Sequence, residues 1–137
     1  MKNLIFAFFF AMISTVAFGQ KKEMTYQLSS HILDVSKGMP APGVTIKLEK
    51  YNEKTKVWSY VDEKVTDKSG RVPNFLPNDK SNLGIYKLTY LTSDYFKKMK
   101  EESFYPWVEV VFELKDGEHY HVPITLSAYG YSTYRGN

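Results

Sequence analysis

The residues best equipped for acid–base or anion chemistry in this chain are its three histidines, His31, His119 and His121, and its two arginines, Arg71 and Arg135. Imidazole is the side chain matched to proton transfer near neutral pH, with an ordinary pKa of ~6.5. Guanidinium is a permanent cation whose planar fork suits carbonyl oxygens and oxyanions. His119 and His121 are two apart, so on a regular strand both project from one face, about 7 Å from each other. That spacing also fits two ligands of a metal. Coordination needs at least one further convergent ligand, and no carboxylate spacing singles one out, so no metal is expected. Taken singly, each histidine reads more readily as a surface or hydrogen-bonded structural residue, and Arg71 as an exposed turn cation. Spacing alone does not bring these five residues together.

Other chemistries are excluded more firmly. The chain has no cysteine, which removes a disulfide scaffold, a thiol nucleophile, a thiolate zinc site and a lipoprotein anchor. No glycine-rich phosphate loop, nucleophile elbow or zinc-protease motif is present. The formal charge of +3 is too small to imply a nucleic-acid or membrane-surface partner. Basic residues do alternate with aromatics, as in Tyr86-Lys87 and Tyr95-Phe96-Lys97. Core and solvent faces of ordinary elements account for that pattern better than base stacking does.

The elements that must position these residues are short. Met1-Lys2-Asn3, the uncharged run from Leu4 to Phe18, and Ala17-Phe18-Gly19 read as a secretory signal peptide over residues 1–19, cut ahead of Gln20. Residues 20–137 then form one domain, exported, with no membrane attachment after cleavage. Strands are expected from Gln27 to Val35, around Val44–Leu48, over Val57–Val65, over Ile85–Leu91 and through Val108, Val110, Phe112 and Leu114, by period-two alternation. Asp116-Gly117 reads as a two-residue hairpin turn leading into a strand from Glu118 to Leu126. A last strand, Tyr131 to Arg135, follows Ala128-Tyr129-Gly130. One helix of two or three turns is expected from Asp94, capped by Ser93 and ended before Pro106. Seven or eight strands with one helix predict an all-β fold, an antiparallel β-sandwich.

Four segments extend this reading. Ser30-His31-Ile32-Leu33-Asp34 with Gly38-Met39-Pro40-Ala41 resembles the opening signature of the transthyretin-like 5-hydroxyisourate hydrolases. Thr66-Asp67-Lys68-Ser69-Gly70-Arg71 is similar to their central arginine turn, and Phe104-Tyr105-Pro106 to the segment before their penultimate hairpin. His119-Tyr120-His121-Val122-Pro123, followed by Leu126-Ser127 and Gly130-Tyr131-Ser132-Thr133-Tyr134-Arg135-Gly136, is the most specific match. The resemblance covers about residues 26–137. Transthyretin, a hormone carrier, shares the fold, so the site must decide between the branches.

By that resemblance the catalytic set is His31, Arg71 and His121, with Tyr134, Arg135, Gly136 and Asn137 binding substrate. The carrier branch replaces both histidines and lacks the terminal tetrapeptide. The implied activity is hydrolysis of 5-hydroxyisourate, the unstable product of urate oxidation, to 2-oxo-4-hydroxy-4-carboxy-5-ureidoimidazoline. The alternative is a small-ligand carrier on the same sandwich. A homotetramer with pockets between subunits is implied too, as is no cofactor. The family usually ends in serine where this chain has Asn137, and commonly has proline where it has Ala128. His119 matches the less essential histidine of its motif. Which of His31 and His121 is the base is left open by the residues. A short signal and the absence of cysteine favour the periplasm.

Overall fold

The computed structural model describes residues 23–137, so the expected signal peptide over residues 1–19 lies outside the described residues. Nine strands and one helix follow in order: β1 (Tyr26–Asp34), β2 (Met39–Pro40), β3 (Thr45–Asn52), β4 (Val57–Val65), β5 (Arg71–Pro77), β6 (Gly84–Leu91), α1 (Ser93–Lys98), β7 (Val108–Leu114), β8 (Tyr120–Ser127) and β9 (Gly130–Thr133). They form two sheets packed face to face. One runs β2-β1-β8-β9, with β5 also paired to β1; the other runs β4-β3-β6-β7. Among the described residues no helix is long and apolar enough to cross a membrane.

Period-two alternation builds the core between the sheets. Leu28 and Ile32 of β1, Ile46 and Leu48 of β3, Leu88 and Tyr90 of β6, and Ile124 and Leu126 of β8 are all buried. Their sequence neighbours necessarily face outward. On β1 those are Ser29, His31 and Leu33, all half-buried; on β8, His121 and Thr125 are half-buried as well. The same alternation that packs the sandwich therefore places both motif histidines on the outer face of one sheet.

The sandwich matches the expectation, and four local readings are corrected. Asp116-Gly117 does not close a hairpin, because β7 pairs with β6 in one sheet while β8 pairs with β1 in the other. The turn is a crossing between sheets. The β1–β8 pair is parallel, with Ser29 opposite His121 and His31 opposite Pro123; every other strand pair is antiparallel. Strand β5 was not expected, since Pro73 and Pro77 mask its pattern; it pairs through Phe75 and Val72 at an edge, where proline is tolerated. Finally, α1 has six residues and Thr92 at its N-cap, without a side-chain cap bond. The Ser93 hydroxyl instead donates to the Pro106 carbonyl. What anchors α1 is burial of Phe96 and a hydrogen bond from the Tyr95 hydroxyl to buried Asp34, 2.7 Å to Oδ2.

Candidate active site

His31, Arg71 and His121 reach one face from three strands. His31 is the register partner of Arg71 across the β1–β5 pair, and directly paired residues share a face. His121 enters from β8 on the other side of β1. Arg71 is exposed, and its positive charge lowers the proton affinity of both imidazoles.

The turn that presents Arg71 is built by its own motif. Asp67 Oδ1 accepts from the Ser69 amide at 2.8 Å, the Ser69 hydroxyl at 2.6 Å and the Arg71 amide at 3.0 Å. These bonds, the Ser69 hydroxyl first, hold the Asp67 carboxyl below its usual range. Gly70 makes the close approach possible. Its φ is +72°, its carbonyl accepts from the Ile32 amide at 2.9 Å, and a Cβ there would lie 2.7 Å from the Ile32 carbonyl oxygen. Only glycine fits both the backbone angle and the space.

Partial burial is the main cause holding the pKa of His31 below its ordinary value, followed by Arg71; a hydrogen bond to the Ser69 backbone and the Asp67 charge oppose it. His121 is lowered in the same way by burial, then by Arg71, His31 and His119, against a hydrogen bond to the Ser29 backbone. Both rings are thus kept neutral near pH 7, the form in which an imidazole nitrogen can accept a proton.

Two residues outside the expected set join it. Ser29 Oγ lies 2.8 Å from His121 Nδ1 and 2.9 Å from His119 Nε2, while His119 Nδ1 lies 2.9 Å from the Tyr26 carbonyl oxygen. His119, just ahead of β8, is exposed and is tied to β1 by these two bonds. Ser29 could have been suspected from its position two residues before His31, on the same face of the same strand.

The C-terminal segment divides. The Gly136 amide donates to the His121 carbonyl at 2.8 Å, so the tail continues the β9 edge alongside β8 up to the histidine. Arg135 turns away. Its guanidinium sits 4.4 Å from the Tyr120 ring centroid, and with Tyr134 it lines a groove of ≈ 420 Å³ against Val110 and Phe112 of β7. Tyr120 faces the core side of β8, so within one chain Arg135 lies on the far side of that strand from His121. Asn137 is exposed. Among the described residues no cluster of three histidine, aspartate or glutamate side chains is placed to hold a metal ion.

An open sheet face bearing two neutral imidazoles beside a fixed cation can polarise water and hold negative charge developing on a nearby oxygen. Residues 28–136 match the HIUase/Transthyretin family. The chain is 42% identical over 134 residues to a Caenorhabditis elegans protein named probable 5-hydroxyisourate hydrolase, covering 96% of this chain and 98% of that one. Among solved structures, 5-hydroxyisourate hydrolase from Klebsiella pneumoniae superposes with a TM-score of 0.69 at 35% identity, over 80% of this chain and 98% of that one. Sea bream transthyretin in complex with thyroxine superposes with a TM-score of 0.74 at 28% identity, over 80% and 94%. The chain belongs to the HIUase/Transthyretin family.

Proposed function

We propose that this chain is a 5-hydroxyisourate hydrolase of urate degradation, producing 2-oxo-4-hydroxy-4-carboxy-5-ureidoimidazoline. The observation that carries the reading is the gathering of His31, Arg71 and His121 on one face. The fold does not carry it, because a hormone-bound transthyretin superposes as well as a hydrolase does.

In this reading water attacks a ring carbonyl carbon, the ring carbon–nitrogen bond breaks, and the freed nitrogen takes up a proton while the carbon becomes a carboxyl group. The His31/His121 pair removes the water proton and returns one to the leaving nitrogen. Arg71 holds the charge that builds on the carbonyl oxygen. Gly136 lets the tail approach His121 and Asn137 follows it at the binding surface, while Tyr134 and Arg135 line the groove on the far side of β8. The site is open on a single chain, which favours a homotetramer whose subunits close it with no metal or organic cofactor. Residues 20–137 act after export to the periplasm and removal of residues 1–19.

The test uses residues 20–137 with 5-hydroxyisourate generated from urate by urate oxidase, followed by ultraviolet absorbance against spontaneous decay. Accelerated decay that is lost in His121→Ala, with assembly intact, supports the hydrolase. Decay at the background rate from folded protein sinks it and points to a carrier; recovery in Asn137→Ser would assign the loss to the terminal residue.

A further inference from the structure

The hydrogen-bond chain behind His121 has a direction. A backbone carbonyl can only accept, so His119 must donate to Tyr26 from Nδ1. Neutral His119 then has a bare Nε2, 2.9 Å from Ser29 Oγ, and the only proton available between them is that of the hydroxyl. Were that proton turned toward His121 instead, two lone pairs would face each other at 2.9 Å. With the Ser29 hydroxyl donating to His119, its oxygen accepts from His121 Nδ1 at 2.8 Å. His121 therefore carries its proton on Nδ1 and leaves Nε2, on the opposite side of the ring from Ser29, with a free lone pair.

We propose that Ser29 and His119 are positioning residues that fix His121 in the tautomer whose Nε2 is the proton acceptor. The role of Nε2 as the base rests on the hydrolase reading above; the tautomer itself does not. Fixing it removes the unproductive form, in which Nε2 already holds a proton and cannot take one from water. The relay asks of residue 119 a donor at one end and an acceptor at the other, which a glutamine amide also supplies, and of residue 29 a hydroxyl, which threonine also supplies.

The experiment is nitrogen-15 NMR of histidine-labelled residues 20–137 above the histidine titration range, with the His121 signals assigned by their loss in His121→Gln. The imine nitrogen of a neutral imidazole resonates far from its protonated partner, so the tautomer is read directly. The wild type and the Ser29→Thr and His119→Gln variants are expected to show Nδ1 protonated, while Ser29→Ala and His119→Leu move the population toward protonated Nε2. In the hydrolase assay Ser29→Ala then lowers kcat on the order of tenfold or more with little change in KM, within the ~10²–10⁴ a general base contributes. Threonine restores it. A wild-type His121 protonated on Nε2, or a tautomer unmoved by Ser29→Ala and His119→Leu, overturns the proposal. A wild type that shows the Nδ1–H tautomer without any hydrolysis overturns the functional reading while leaving the relay standing.

Discussion

Gly136 and His121 touch twice. The Gly136 amide donates to the His121 carbonyl at 2.8 Å, and the position a Cβ would take at residue 136 lies 2.4 Å from His121 Cδ2 and 3.1 Å from Cγ. The glycine of the terminal motif is therefore a matter of space beside an imidazole face. The tail is the wall that sets where this ring stands, and the tail's own position is set by the same residue through its backbone.

Gly136→Ala follows directly as a probe of that wall. The added methyl cannot fit without moving either the ring or the tail by tenths of an ångström or more. Misplacement of a reacting group on the scale of 1 Å costs about 10²-fold in rate, so kcat/KM is expected to fall by roughly that factor. Because the contact lies at the sheet surface, the urea midpoint should hardly change. Equal loss of stability and activity would show that the tail is a structural strap instead.

Arg71 acts on the two histidines through its charge and on the substrate through its fork. Arg71→Gln removes both, and loss of such an oxyanion donor costs on the order of 10²–10³ in kcat. Its second signature is in pH. The Arg71 charge lowers both histidine pKa values, so removing it raises them, and the acidic limb of the residual kcat/KM profile should move to higher pH. A profile whose limb stays where it was would separate Arg71 from the histidines.

The same shifts make a stability prediction with a definite sign. In the unfolded chain His31 and His121 titrate near 6.5, and in the fold both titrate lower, chiefly because they are partly buried. As pH falls through 6.5 the unfolded state binds protons first, so stability declines from there until the folded-state values are passed, then levels off. His121→Gln removes one of the two contributions. Urea midpoints measured between about pH 7.5 and about pH 5 should show a shallower decline in the variant than in the wild type. A steeper decline would mean that His121 gains affinity for protons on folding.

How far the sequence could be read depended on whether the signal was local. Alternation is local, and β4 begins and ends at Val57 and Val65 as the pattern says. Partner choice is not. Asp116-Gly117 has the composition of a hairpin turn, yet Gln27 Nε2 donates to the Asp116 carbonyl at 2.7 Å and the chain crosses to the other sheet, a decision made by the packing of β8 beside β1. The site shows the same division. His31 and His121 could be marked from residue type and motif, but their union depends on a parallel pairing between residues 92 apart in sequence. Ser29 carries no motif of its own; its place two residues before His31 puts it on the right face, and the register Ser29↔His121 shows what it touches. The resemblance groups Arg135 with Gly136 in one terminal motif, whereas within one chain Arg135 stacks on Tyr120 and Gly136 abuts His121, on alternate sides of the strand.

Beneath the histidine face a buried trio fastens the two sheets together. The Ser30 hydroxyl donates to the Val122 carbonyl at 2.8 Å, and the Tyr90 hydroxyl from β6 lies 2.9 Å from Ser30 Oγ and 3.1 Å from the same carbonyl. Ser30 sits between Ser29 and His31, and Val122 follows His121, so through these buried polar atoms the opposite sheet reaches the backbone that carries the site. Burial raises the Tyr90 pKa well above the usual phenol range, which keeps its proton available for donation. Tyr90→Phe removes that donor and leaves the carbonyl still served by Ser30, so the cost should be about 1 kcal/mol of unfolding free energy. Ser30→Ala should cost a similar ~1 kcal/mol, with Tyr90 turning wholly to the carbonyl. In the double variant the carbonyl loses both side-chain donors, and the loss should exceed the sum of the two, a coupling measurable by a double-mutant cycle in urea. Strict additivity would mean that Ser30 and Tyr90 serve Val122 independently. Activity in Tyr90→Phe should stay within about twofold of wild type, since its hydroxyl faces the core and touches neither histidine.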